Sequence, residues 1–238
     1  FTFKTAYMAD CYEPIGNGTA TLGWTSSGNY QKRQCVSQQI FTAAELAASG
    51  LSAGDAPSTI WVQFPYNPDI RTVGIYMGQT SKTGFESTTD WFDSEDLTPV
   101  YPEAQTLLTN AEPGYWMPLH FENTITWDGQ SNLVIAFVIS KEDTYFNEYR
   151  DFPFYGKAHN ENNSLSWFGS TTDFSTSNTG QLSNYLTNIR FCTITSCMTP
   201  TNLTAATVSR TEVQLDWDRM YQENEWTVEY GLSGFEHG

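Results

Sequence analysis

Short apolar runs with a two-residue period occupy most of the sequence, and this pattern restricts the chain to an all-β fold. Successive side chains of a strand point to opposite faces, so a period of two indicates strands that bury one face. Clusters of Gly, Asn, Asp and Pro between the runs predict turns. Regular short strands in one unit of about 190 residues favour a jelly-roll β-sandwich over residues 1–191. The predicted strands are 34–41, 58–64, 71–78, 97–101, 115–121, 123–127, 131–139, 144–155 and 184–192.

Two local motifs predict structure between these strands. Thr42 and Glu45 form a capping box before Leu46, and Gly50 follows, so a helix of about two turns is expected there. The pair at 128–129, Asp-Gly, tolerates the positive φ of a tight turn. It predicts a hairpin whose flanking strands are antiparallel neighbours.

The tail after Pro200 repeats the two-residue period three times. This pattern resembles the opening of a fibronectin type III module, a sandwich of about seven strands and roughly 100 residues. Since only three strands fit before Gly238, residues 200–238 are expected to be the N-terminal part of such a module in a longer, multimodular protein. Residues 192–199 are expected to form a Cys-bounded linker. The alternating residues are Leu203 and Ala205, then Val213, Leu215 and Trp217, then Trp226, Val228 and Tyr230.

Composition excludes several classes of partner. The chain carries 11 Lys and Arg against 27 Asp and Glu, a net charge of −16, which repels nucleic acid and anionic lipid surfaces. Its longest apolar run, 133–139, is far shorter than the ~20 residues of a membrane helix, so no membrane insertion is expected. A charged fraction of 16% beside an aromatic fraction of 15% is common in extracellular β proteins. Composition therefore favours a secreted or cell-surface location.

The four cysteines allow three disulfide connectivities. Zinc is the rival interpretation, but the sequence has no CxxC or CxxH pair, and disulfides are favoured. The short CTITSC segment suits a loop closed by Cys192 and Cys197. This arrangement leaves Cys11 to pair with Cys35.

Several strings, in order along nearly the whole chain, resemble a recurrent unit of secreted, multidomain proteins of Bacteroidetes. They are SQQIFTAAEL (37–46), IYMGQTSKTGFESTTDWF (75–92), LTPVY (97–101), WMPLHF (116–121), WDGQSNLVIAF (127–137) and NIRFCTITSCMTPTNLTA (188–205). In those proteins a jelly-roll domain is followed by a Cys-bounded linker and a fibronectin type III module. The resemblance implies extracellular display and an adhesin-like role, with neighbouring modules of the same polypeptide as partners. It carries over no catalytic residues.

The sequence contains no HExxH, GxGxxG or GxxxxGK motif. Paired carboxylates of a glycosidase are the remaining enzyme interpretation. Nothing in the spacing of the candidate acids separates them from solvated acids on an exposed strand face, so we expect no catalytic activity. Those acids are Glu142, Asp143, Glu148 and Asp151.

One acidic run is a candidate metal site. Asp90, Asp93, Glu95 and Asp96 place four carboxylates within seven residues. Hard cations such as calcium prefer clustered oxygen ligands, so calcium is the one cofactor with candidate ligands. The run lacks Asp-x-Asp-x-Asp-Gly spacing, and a solvated acidic loop is the alternative.

Aromatic residues supply the candidate ligand site. Sugars stack on Trp and Tyr rings, while amides and carboxylates bind the hydroxyls. Trp61, Trp116 and Trp127 lie within strand patterns and are assigned to the core. The candidates for a glycan site are the rings of Tyr145, Tyr149 and Trp167, with Asn147, Asp151 and Asn160 as hydrogen-bonding groups.

We therefore expect a non-catalytic binding or adhesion module of a secreted or cell-surface protein, with a glycan or an extracellular protein as its ligand. Two alternatives stay open. One is an architectural spacer, and the other is an accessory domain of an extracellular hydrolase whose catalytic domain lies outside this chain. Exposed aromatic side chains in one concavity would distinguish the binding module from the spacer.

Overall fold

The structure is a computed structural model. It describes residues 9–20, 34–64, 71–106, 114–140, 154–159, 161–169, 178–194, 201–207, 209 and 212–218. These residues fall into two compact units, Cys11–Thr193 and a second unit with the described parts of Phe1–Asp10 and Ile194–Gly238. No helix within the described ranges is long and apolar enough to cross a membrane.

Strands make up nearly all of the regular structure, which confirms the all-β class. The one α-helix of the described residues is α1 (Ala43–Ala48), and a short 3-10 helix covers Ser94–Asp96. The strands are β1 (Ala9–Cys11), β2 (Gln34–Phe41), β3 (Thr59–Phe64), β4 (Arg71–Thr80), β5 (Thr98–Thr106), β6 (Tyr115–His120), β7 (Asn132–Ser140), β8 (Gly156–Ala158), β9 (Ser164–Gly169), β10 (Gln181–Ser183), β11 (Tyr185–Thr187), β12 (Ile189–Ile194), β13 (Thr201–Thr207) and β14 (Val213–Asp218).

Two sheets dominate the larger unit. A four-stranded sheet has the order β1-β12-β3-β6, and a six-stranded sheet has the order β10-β9-β2-β7-β4-β5. A small sheet pairs β11 with β8. Successive strands β2, β3 and β4 alternate between the two large sheets, as do β5, β6 and β7.

The main core lies between the two large sheets. β3 contributes Ile60, Val62 and Phe64 from the four-stranded sheet, and β7 contributes Ile135 and Phe137 from the six-stranded sheet. All five side chains are fully buried. Burial of one such side chain stabilises the fold by about 1.5–3 kcal/mol. The larger unit is thus a two-layer β structure.

The six-stranded sheet is also buried on its other face. Val134 and Ala136 alternate with the core residues of β7 and belong to a second apolar cluster with Phe85 and Leu97. Phe85 and Leu97 come from the connection between β4 and β5, so residues 81–97 cover this face. A strand covered on both faces reads as one continuous apolar run, which explains the sequence of β7.

The predicted strands match the structure except in three places. Residues 123–127 form no strand. The run 184–192 is divided between β11 and β12, which belong to different sheets. Most of 144–155 lies outside the described residues.

The two local motifs had different outcomes. The capping box is confirmed, because Glu45 N donates to Thr42 Oγ1 and Thr42 N donates to Glu45 Oε2 at the start of α1. The hairpin prediction is wrong, because β6 pairs with β3 while β7 pairs with β2 and β4. Asp128 instead accepts hydrogen bonds from Ser131 N and Ser131 Oγ within its own turn. The Asp-Gly pair at 128–129 therefore indicated a turn correctly, but it did not indicate which strands pair with each other.

The disulfide joins Cys11 to Cys192, which are 181 residues apart. The predicted pairs Cys11 with Cys35 and Cys192 with Cys197 are therefore wrong. Cys11 ends β1 and Cys192 lies in β12, and these strands are neighbours in the four-stranded sheet. Cys35 is buried in β2 of the other sheet, whereas Cys197 lies outside the described residues.

The second unit contains an antiparallel pair, β13 with β14. Leu215 and Trp217 are half-buried and alternate with exposed residues, and Val213 is 51% exposed. The two predicted strands are therefore present. The third predicted strand, at 226–230, lies outside the described residues.

Candidate ligand-binding surfaces

Trp61 and Trp116 lie on the outward face of the four-stranded sheet. In β3 the inward residues Ile60 and Val62 are fully buried, and Trp61 between them points the other way and is half-buried. Trp116 alternates in the same manner with the buried Met117 of β6. The assignment of these two rings to the core was wrong, although that of Trp127 is confirmed by its burial.

The register places these rings side by side. Trp61 pairs with Pro118, and Trp116 pairs with Gln63. Trp61 and Trp116 are thus diagonal neighbours on adjacent strands, a relation that separates their Cα atoms by about 7–8 Å. We call the outward side chains of Trp61, Gln63, Trp116 and Pro118 the tryptophan face. On the other side of Trp61, β12 adds Arg190 in register.

The tryptophan face lacks carboxylates. The sequences of β3, β6 and β12 contain no Asp or Glu, in a chain with 27 of them. Arg190 Nε donates to Tyr12 O at 2.9 Å, and His120 Nδ1 lies 3.0 Å from Thr59 Oγ1.

Trp61 Nε1 is buried and has no hydrogen-bond partner among the described residues. A buried donor in this condition is uncommon in folded proteins.

A separate cleft lies between residues 81–86 and residues 161–162. Its volume is about 600 Å³, within the range of small-molecule sites. Phe85 N donates to Asn162 O at 2.8 Å, so the two walls are joined at one point. The lining is formed by Ser81, Lys82, Thr83, Gly84, Phe85, Glu86, Glu161 and Asn162.

Three side chains hold the first wall of the cleft in place. Asn132 Nδ2 donates to Lys82 O at 2.8 Å, and Asn163 Nδ2 donates to Thr83 O at 3.1 Å. The ring of Phe85 is buried in the second apolar cluster. The wall is therefore preorganised, because both polar and apolar anchors fix its backbone.

Asp90 fixes the end of the same wall. Its Oδ1 lies 2.5 Å from Lys82 Nζ, and its Oδ2 accepts from Glu86 N at 2.9 Å. Burial alone would raise the pKa of Asp90, but the bonds from Glu86 N and from Lys82 outweigh burial and lower that pKa below its usual value. Lys82 Nζ also lies 5.0 Å above the ring of Phe92.

The predicted calcium site at the acidic run stays a prediction. The described residues contain no group of three or more His, Cys, Asp or Glu that could hold a metal ion. The carboxylate of Asp90 is bound to Lys82, and Glu95 and Asp96 are exposed on the short 3-10 helix. The ammonium of Lys82 already offsets the charge of Asp90, whereas Asp93, Glu95 and Asp96 have no such ion pair among the described residues.

Most of the predicted glycan site lies outside the described residues, namely Tyr145, Asn147, Tyr149, Asp151 and Asn160. The same holds for the glycosidase candidates Glu142, Asp143 and Glu148. Trp167 is described and half-buried in β9, in register with Val36 and two residues beyond the buried Leu165. The structure thus places Trp167 on the sheet opposite to the tryptophan face.

A signal for the tryptophan face was present in the sequence. In STIWVQF the inward residues Ile60, Val62 and Phe64 share one period-two register, and Trp61 and Gln63 share the other. A ring in the same register as Gln63 is expected outside the core. The cleft left no such signal, because its two walls are about 75 residues apart along the chain.

The chain was compared with protein-family models, with curated proteins and with solved structures of other proteins. None of these comparisons gave a match. The function is therefore inferred from the two surfaces themselves.

Proposed function

We propose that the chain is a non-catalytic, extracellular binding module, and that a neutral glycan stacks on the tryptophan face. The observation that carries this proposal is the outward position of Trp61 and Trp116 on adjacent strands. Two rings in this arrangement offer flat apolar surfaces to the C–H faces of successive sugars.

The polar groups of the face suit hydroxyls. Gln63 lies between the rings in register with Trp116, and its amide carries both donors and an acceptor. Its Nε2 donates to Gly114 O and its Oε1 accepts from Asn188, so one amide hydrogen and one lone pair remain for a ligand. A face without carboxylates does not attract polycations, and the net charge of −16 repels polyanions. A neutral, hydroxyl-rich ligand fits both conditions.

The proposal includes the finer fold assignment. We propose that Cys11–Thr193 is a jelly-roll sandwich and that β13 and β14 begin a fibronectin type III module, as the resemblance to secreted Bacteroidetes proteins implies. Strands that alternate between two antiparallel sheets support the first assignment. A disulfide supports an oxidising, extracellular compartment.

Affinity electrophoresis tests the function. The intact chain should be retarded in native gels that contain a soluble β-glucan or xylan, and not in gels that contain polygalacturonate. Trp61→Ala and Trp116→Ala should each weaken the retardation about tenfold, because each removes one stacking ring. Trp61→Phe should keep most of it.

Trp167→Ala is the matched control, since it removes a half-buried ring from the other sheet. Thermal unfolding of each variant shows whether the fold is intact. Loss of retardation in Trp167→Ala alone would move the glycan site to the region predicted from the sequence. If none of these polysaccharides retards the chain, the second candidate, an architectural spacer, is favoured. The observation that favours a spacer is the disulfide that closes the unit.

A further inference from the structure

The cleft between 81–86 and 161–162 is chemically unlike the tryptophan face. Its lining carries two carboxylates, of Glu86 and Glu161, and the hydroxyls of Ser81 and Thr83. The balance of hydrogen-bond donors and acceptors in the cleft indicates which ligand it can take.

The strong donors of the cleft each have a partner within the protein. Lys82 Nζ is bound to Asp90 Oδ1, and Glu86 N donates to the other oxygen of Asp90. Phe85 N donates to Asn162 O across the cleft. The one cationic side chain of the lining is therefore paired with a carboxylate that offsets its charge.

Acceptors remain. Within the described part of the chain, the carboxylates of Glu86 and Glu161 take part in no hydrogen bond or ion pair that fixes them. Asn163 follows the second wall and is only 4% exposed, and its Nδ2 donates to Thr83 O in the first wall. Its Oδ1 is buried without a partner in the described residues. Asn163 does not itself line the cleft, so the acceptors open to a ligand are the exposed carboxylates of Glu86 and Glu161.

We infer that this cleft binds an organic cation, through the N–H donors of a guanidinium or ammonium group. The charge of Lys82 is neutralised by Asp90, which leaves Glu86 and Glu161 as the net charge of the cleft. A bare metal ion is a poor fit, because the described residues supply no group of three acidic, His or Cys ligands. A guanidinium offers five donors in one plane and satisfies several acceptors at once. The net charge of −16 draws such a cation towards the chain.

Two probes separate the two sources of this chemistry. N-acetyl-triarginine amide represents a basic peptide segment of a partner protein, and spermidine represents a free polyamine. Each is titrated into the isotopically labelled intact chain at about physiological ionic strength, where non-specific attraction is screened. Amide shifts should concentrate at 81–86 and 161–163, including the side-chain amide of Asn163.

Glu86→Gln and Glu161→Gln should each weaken binding of the triarginine probe about fivefold. Glu13→Gln is the matched control, since it removes the same charge from an exposed glutamate elsewhere in the unit. It should leave the affinity unchanged. Thermal unfolding should be alike in all three variants.

Binding of either probe at the cleft supports the inference. The probe that binds more tightly than the other identifies the source, a basic peptide segment or a free polyamine. Equal losses in Glu13→Gln and Glu161→Gln would overturn it, because the net charge alone would then explain the attraction. Shifts confined to other residues would overturn it as well. Loss of glycan binding in Trp61→Ala bears on the tryptophan face alone, so the two proposals can fail separately.

Discussion

Gln38 holds Phe92 through both backbone groups of that residue: Nε2 donates to Phe92 O at 2.7 Å, and Phe92 N donates to Oε1 at 2.8 Å. Gln39, the next residue, points to the opposite face of the same sheet. There its Oε1 accepts from Thr187 N at 2.8 Å and its Nε2 donates to Thr187 Oγ1 at 3.0 Å. Two consecutive glutamines therefore anchor a different segment on each face of β2.

Replacement of Gln38 by Leu should lower the free energy of unfolding by about 1–3 kcal/mol, because both backbone groups of Phe92 lose a partner. Hydrogen exchange at the Phe92 amide should accelerate. Gln39→Leu is the control: it should destabilise similarly but accelerate exchange at Thr187. Faster exchange at Phe92 in both variants would show that the two anchors are not independent.

Loss of the disulfide should be costly. Cys11→Ser, Cys192→Ser and the double variant should each lose about 2–5 kcal/mol in denaturant unfolding, since a bond across 181 residues restricts the unfolded chain strongly. Non-reducing peptide mapping should link the Cys11 and Cys192 peptides. Cys197→Ser should leave that link intact. A map that joins Cys192 to Cys197 would contradict the structure.

Asp90→Asn should lower the free energy of unfolding at pH 7 by about 1 kcal/mol, because it weakens the bonds to Lys82 and Glu86 N. The pKa of Asp90 is lowered in the folded state, so its contribution is present above the unfolded pKa, near pH 4, and is lost as the pH falls below it. The difference from the parent chain should therefore shrink as the pH falls below about 4. Asp93→Asn, at an exposed aspartate with no side-chain capping bond, should change little. A difference for Asp90→Asn that persists at low pH would exclude the charge as its source.

Two glycines with positive φ test the cost of close packing. Gly54 has φ +94° with open space around it, whereas Gly129 has φ +81° and a Cβ there would lie 2.6 Å from Ala53 Cβ. Gly54→Ala should cost about 1 kcal/mol from backbone strain alone. Gly129→Ala should cost about 2–4 kcal/mol, because the clash adds to the strain. Equal shifts of the urea midpoint in Gly54→Ala and Gly129→Ala would show that the segment around Ala53 moves aside without a loss of stability.

Features that depend on neighbouring residues could be predicted from the sequence, and features that depend on distant pairing could not. The capping box of Thr42 and Glu45 needs only three residues of separation, and it is present. The pairing of Cys11 with Cys192 depends on β1 lying beside β12, which no local spacing reveals. The CTITSC spacing favoured a short loop closed by Cys192 and Cys197, because the sequence alone does not show that Cys11 lies beside Cys192.

The candidate surfaces divide in the same way. The outward position of Trp61 follows from its shared register with Gln63, so the alternation rule was sufficient to find it. The walls of the cleft meet because Asn163 reaches Thr83, a contact between segments that are remote in the chain. Burial and residue type at 81–86 give no hint of that contact.

The bond between Cys11 and Cys192 also determines how the larger unit responds to a mechanical pull. Tension applied to the chain on either side of the unit would run through the sulfur–sulfur bond and bypass the strands between the two cysteines. The stretch between the two cysteines would carry no load and would keep its shape. Reduction of that one bond would turn a rigid element into an extensible one.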